Sequence, residues 1–115
     1  MNEGAALLKL PYTIENIHTA IKNRAILWRE HASEKMLERG IRKREVKECI
    51  INGEIIEEYY NDYPFPSCLV FGRTSGGRPI HVVCSLNEDV LYIKTSYEPN
   101  VFKWQDDYKT RREQK

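Results

Sequence analysis

At Asn52-Gly53 the hydrophobic period of this chain changes, and no other feature constrains its fold as strongly. Before that point apolar residues recur every three or four positions. Ile14, Ile17 and Ile21, with Ala25 next on the same face, mark a helix over roughly 13–25, with Thr13 as its N-cap behind Pro11-Tyr12. Ala32, Ser33, Met36 and Leu37 share one side of a second helix over about 30–39, and Gly40 stands where a left-handed residue ends it. Val46, Cys49 and Ile50 form the stripe of a third helix, about 42–52. After Gly53, β-branched and aromatic residues alternate, so Glu54–Tyr60, Ser67–Arg73, Arg78–Leu86 and Val90–Tyr97 are predicted strands. Prolines at 64 and 66 keep Asn61–Pro66 a loop, Gly76-Gly77 turns one hairpin, and Asn87-Glu88-Asp89 turns the next. Beyond Pro99, Val101–Arg112 is a last helix or an irregular tail. Helices followed by a meander of strands specify an α+β domain, its helices on one face of a four-stranded antiparallel sheet.

The 115 residues suffice for one domain with one core. Hydrophobic residues at 41% and charged ones at 30% exclude a disordered chain. No apolar run approaches the ~18 residues of a membrane span, and Met1 opens no signal-peptide pattern, so the cytoplasm is the expected compartment and a membrane is not an expected partner. Cys49, Cys68 and Cys84 are odd in number and lack paired spacing, which argues for buried thiols rather than disulfides or a zinc knuckle. No H-E-x-x-H, P-loop, G-x-G-x-x-G or G-x-S-x-G motif occurs, so neither a metal nor a cofactor is expected. A net charge of +1 is no nucleic-acid footprint. The basic clusters at Arg39-Arg42-Lys43-Arg44 and Lys109-Arg111-Arg112, like the acidic Glu54-Glu57-Glu58, are first of all solvated faces.

Against that background a few polar residues stand out. His31 opens its helix, where the helix dipole disfavours imidazolium and favours anions, so it can stay neutral and act as a base; its bland role is a solvated side chain. Arg39, two turns on, can bind phosphate or simply pair with Glu38 or Glu54. His81 interrupts the apolar run Ile80-His81-Val82-Val83 on the opposite face from Ile80 and Val82, where hydrogen-bonded packing is the commoner role. Thr95 and Tyr97 share a face near the end of the last strand. If the last two strands pair about Asn87-Glu88-Asp89, that end returns to His81 and gathers three candidate groups.

The set His31-Ala32, Met36, Glu38-Arg39-Gly40-Ile41, Val46, Gly53-Glu54-Ile55-Ile56-Glu57, Tyr59, Asp62, Pro64, Pro66-Ser67, Pro79-Ile80-His81-Val82-Val83, Thr95-Ser96-Tyr97-Glu98-Pro99 and Trp104 resembles the bacterial domain-of-unknown-function family 4258. The likeness covers about residues 28–112, in order, and is specific as a set. Arg42 departs from it, standing where a capping Ser or Thr is commonly found. The resemblance implies a fold like the barnase, EndoU, colicin-ribonuclease and RelE group, two helices on a four-stranded antiparallel sheet. That group holds metal-independent ribonucleases, often toxins. It further implies, as partners, RNA and a small zinc-finger or helix-turn-helix protein of antitoxin type.

The expectation is therefore a metal-independent endoribonuclease of toxin type. One of His81 and His31 would take the 2′-OH proton and the other protonate the leaving oxygen, while Arg39 stabilises the phosphorane and Thr95 and Tyr97 orient the phosphate. The alternatives are a non-catalytic binding or regulatory module of the same fold and a self-associating structural protein. On this division residues 1–27 are a helical extension and 28–115 the RelE/barnase-like domain with its tail. The Ile14/Ile17/Ile21 stripe must be covered, by its own domain as the default or by a second copy in a homodimer.

Overall fold

The computed structural model describes residues 9–113. Its three helices and four of its five strands follow the predicted order, with sharper boundaries. Helix α1 spans Ile14–Lys22, α2 Glu30–Arg39 and α3 Lys43–Ile51. Strand β1 spans Ile26–Trp28, β2 Glu54–Tyr59, β3 Ser67–Arg73, β4 Pro79–Asn87 and β5 Val90–Tyr97.

Local chemistry sets the ends. Thr13 Oγ1 accepts from the Asn16 amide while Asn16 Oδ1 accepts from that of Thr13, a reciprocal cap. Gly40, at φ +65°, closes α2. Arg42 has no side-chain acceptor to offer α3, but the Glu45 carboxylate reaches back to the Arg42 N–H at 2.9 Å and supplies half of a capping box. Helix α1 stops three residues short of the predicted end because Arg24 adopts φ +58°, a left-handed conformation that cannot continue a helix.

One expectation needs correction: the sheet has five strands, not four, and is mixed rather than antiparallel. Its order is β1-β5-β4-β3-β2, with β1 parallel to β5 over Ile26↔Leu91 to Trp28↔Ile93. Three residues are too few to display alternation, and β1 follows the helix so closely that its apolar residues merge with the helical stripe. The remaining pairs are antiparallel.

The helices cover one face. Cys68 and Val70, Ile80, Val82, Cys84 and Leu86, and Leu91 and Ile93 meet Ile17, Ala20, Ala32, Met36, Val46, Cys49 and Ile50 there. Each such fully buried aliphatic side chain contributes about 1.5–3 kcal/mol relative to an exposed one. Ile17 is fully buried and Ile14 and Ile21 pack beside it, so the N-terminal stripe is covered by its own chain. All three cysteines are buried and unbridged. Among the described residues no helix is long and apolar enough to cross a membrane.

The other face is covered too. Strand β3 is buried from Ser67 to Gly72, so residues pointing away from the helices, Leu69 and Phe71, also meet protein. Around Phe71 and His81 the cover is the segment after β5, while Phe65 of the 61–66 loop packs against Tyr92 farther along the same face. The segment after β5 is not a helix but a run of turns, pinned by a bridge between Trp104 and Arg111.

Candidate functional site on the tail-covered sheet face

A β-bulge decides what this face presents. Strands β4 and β5 pair as Leu86↔Leu91, Ser85↔Tyr92 and Cys84↔Ile93, then skip Lys94 and resume as Val83↔Thr95, Val82↔Ser96 and His81↔Tyr97. The extra residue reverses the parity of the strand. Without it Thr95 and Tyr97 would share the core face with Leu91 and Ile93; with it they join His81 opposite the helices.

His81 is fully buried there. Its Nε2 lies 2.7 Å from the Tyr108 carbonyl, which can only accept, so Nε2 carries the proton and donates. Its Nδ1 is buried with no partner. The ring is boxed edge-to-face by Trp104 at 4.5 Å between centroids, Tyr97 at 5.4 Å and Phe71 at 5.7 Å. Burial pushes the His81 pKa below its usual value; the Tyr108 bond and the charge of Glu57 oppose that shift, and Arg111 reinforces it.

Arg111 clamps the tail to the sheet. Its Nε and Nη2 donate to the two Glu57 oxygens at 2.7 and 2.9 Å, a bidentate pair, while its guanidinium lies 4.5 Å over the Trp104 ring. Tyr59 donates to Glu57 at 2.6 Å. The bonded guanidinium holds the Glu57 carboxyl below the usual carboxylate range. A second tail cation, Lys109, pairs with Glu54 at 3.2 Å, and Arg73 lies over Tyr108.

Between the tail and the end of β5 lies a cavity of about 380 Å³, lined by Tyr97, Asn100, Lys103, Trp104 and Arg111. Burial raises the Tyr97 phenol pKa, with Arg111 and Arg39 opposing and Glu57 reinforcing, so its hydroxyl is protonated at neutral pH. No charged or hydrogen-bonding partner among the described residues engages the Lys103 ammonium. The cavity thus offers cations and hydroxyl, amide and indole groups over an aromatic floor.

Of the residues singled out in the sequence, the structure brings His81, Thr95 and Tyr97 onto one face. Arg39 joins their margin. Because β1 reaches only to Ile93, the β5 edge beyond it is open, and Arg39 Nη1 donates to the Ser96 carbonyl at 2.8 Å and to Thr95 Oγ1 at 3.3 Å. His31 does not join them. It is exposed on the first turn of α2, in the helix layer, with the sheet between it and His81. Lys103, Asn100, Trp104 and Arg111 as cavity walls, and Glu57 as the anchor of Arg111, are additions that the strand and helix patterns did not single out. The available signal was β3 itself: Ser-Cys-Leu-Val-Phe-Gly is apolar on both faces, so a second cover had to come from the remaining chain.

The burial of His81 has a measurable consequence. A histidine whose folded pKa is depressed contributes stability in full above its unfolded value near 6.5, and loses it as pH falls toward the folded value, because only the unfolded chain then takes the proton. Denaturant stability should fall between pH 7.5 and 5 by at most about 1.4 kcal/mol per pH unit from this residue. The difference between the wild type and His81→Phe isolates it. Parallel pH curves for the two proteins would show that His81 is not held neutral.

Among the described residues no group of three or more His, Cys, Asp or Glu side chains is arranged to hold a metal ion. Neither the curated proteins nor the solved structures provide a match to the chain. The family model described as Domain of unknown function (DUF4258) matches residues 28–98, well over half of the sequence and all of the sheet from Trp28 onward. The chain belongs to the DUF4258 family.

Proposed function

We propose that the protein is a metal-independent endoribonuclease of toxin type whose reacting phosphate sits in the Tyr97–Asn100–Lys103–Trp104–Arg111 cavity. The observation that carries this reading is the union of two cations and a protonated phenol over a buried indole in one cavity. Lys103 and the Arg111 N–H donors not used by Glu57 stabilise the pentacoordinate phosphate, an effect worth about 10²–10³-fold in comparable sites. The ribose 2′-OH attacks phosphorus and loses its proton to solvent. The 5′-oxygen leaves with a proton from Tyr97, which solvent restores. Arg39 and Thr95, hydrogen-bonded at the β5 edge, flank the site. His81 acts by position: its donor is spent on Tyr108, so it fastens the tail that carries Lys103 and Arg111. Membership of the DUF4258 family, whose resemblance implies a barnase/RelE-like fold, points to the same activity, and a small antitoxin-like protein covering this cavity would be its natural partner.

The burial of His81 and the distance of His31 from this face favour a second reading, a module that binds RNA or an antitoxin-like protein without catalysis. One experiment separates them. The purified chain is incubated with single-stranded RNA in excess EDTA. Cleavage leaving 2′,3′-cyclic phosphate ends is the expected result; RNA bound but intact assigns the module.

A further inference from the structure

The cavity rim carries a feature that phosphate binding does not require. The turn that brings Lys103 and Trp104 into the cavity is built on Asn100, whose carbonyl accepts from the Lys103 and Trp104 amides, each at 3.0 Å. Asn100 Oδ1 accepts from the Phe102 amide at 2.8 Å. From the far side, Arg112 Nε donates to the Val101 carbonyl and the Arg112 amide to that of Lys103, both at 2.8 Å. So tight a turn sends neighbouring side chains in opposite directions. Trp104 goes in, 2% exposed, and Phe102 goes out, 86% exposed.

A single exposed apolar residue is ordinary on a protein surface. Phe102 differs in two respects. Its backbone is held by hydrogen bonds on both sides, so little flexibility remains to be lost when a ligand docks. Asn100, two residues before it, and Lys103, next after it, are cavity walls, so its backbone lies at the cavity rim.

We infer that Phe102 is a stacking platform for an unpaired nucleobase next to the phosphate held in the cavity, which makes the preferred ligand single-stranded RNA. This deepens the proposed function and rests on it. An aromatic ring stacks on any base and so selects unpaired strands rather than a sequence, while the neighbouring Lys103 ammonium matches the phosphodiester. A duplex hides its base faces and cannot use the ring.

The test measures binding, by fluorescence anisotropy, of a short single-stranded oligoribonucleotide, a duplex of the same length and an abasic ribose-phosphate oligomer. EDTA is present, and 2′-O-methyl ribose prevents cleavage. Phe102→Ala should weaken binding of the single strand by about 5- to 100-fold and leave the abasic oligomer unchanged. Phe102→Trp should restore the single-strand affinity. Phe102→Ala binding the single strand as wild type does, or losing equally on the abasic oligomer, overturns the inference, while loss of binding in Lys103→Glu still upholds the phosphate cavity. If the wild type binds none of the three, both readings fall.

Discussion

Gly72→Ala should leave little folded protein. A Cβ on Gly72 would lie 1.9 Å from the Cys49 carbonyl oxygen, 2.6 Å from its carbon and 2.8 Å from its Cα. These are backbone atoms of α3, so no rotamer change relieves the overlap. The helix would have to lift from β3, carrying Val46, Cys49 and Ile50 out of the core. Forced overpacking ordinarily costs about 1–3 kcal/mol, and a backbone clash under three fully buried side chains belongs at or above the upper end. Gly76→Ala is the control. Its nearest neighbour would be Thr74 Oγ1 at 3.8 Å in an exposed turn, and its stability should stay within about 0.5 kcal/mol of wild type. Similar thermal melts for wild type and Gly72→Ala would mean that α3 does not lie so close to β3.

Trp104→Ala should cost about 3–5 kcal/mol, the range for deleting a buried large aromatic. The indole is 2% exposed, packs edge-on against His81 and lies beneath the Arg111 guanidinium, so it is the apolar anchor of a segment otherwise held by partly exposed ion pairs and polar bonds such as that from His81 to the Tyr108 carbonyl. Removing it should loosen residues 98–113 before the sheet unfolds. Limited trypsin digestion should then cut at Lys109 and Arg111 at least tenfold faster than in the wild type, with the remaining core intact by mass. Unchanged melting together with unchanged protection at those sites would show that the ion pairs and hydrogen bonds hold the tail without the indole.

These two positions mark where local pattern stops being informative. The three helices and four long strands follow from periodicity and turn chemistry, since each is amphipathic or bounded by Gly, Pro or Asn, and the Asn87–Val90 turn closed as expected, with Glu88 and Asp89 both at positive φ. The approach of His81 to Tyr97 was legible from that turn. The reason it places Tyr97 opposite the core was not: strict alternation from Leu91 and Ile93 would put Thr95 and Tyr97 on the core side, and only the bulge at Lys94 reverses them. Strand β1 escaped because three residues carry no period. The tail escaped because its order comes from side chains distant in sequence, such as Glu57 for Arg111 and His81 for the Tyr108 carbonyl, rather than from any repeat of its own. His31 shows the converse. A histidine at a helix start is chemically suggestive wherever it occurs, and only the fold reveals that it stands alone in the helix layer.

The claim at the centre of this account is that the cavity beneath the tail acts on RNA, and Lys103→Glu bears on it most directly. Lys103 is exposed, and its ammonium makes no hydrogen bond or ion pair among the described residues, so the variant should melt like wild type. In the metal-free cleavage assay it should lose about 10²-fold or more in rate, and the salt dependence of RNA binding should become shallower by about one phosphate contact. Tyr97→Phe, run alongside, should slow cleavage with little effect on binding. Cleavage by a folded Lys103→Glu protein at the wild-type rate, with an unchanged salt dependence, would contradict the account and place any activity elsewhere on the chain.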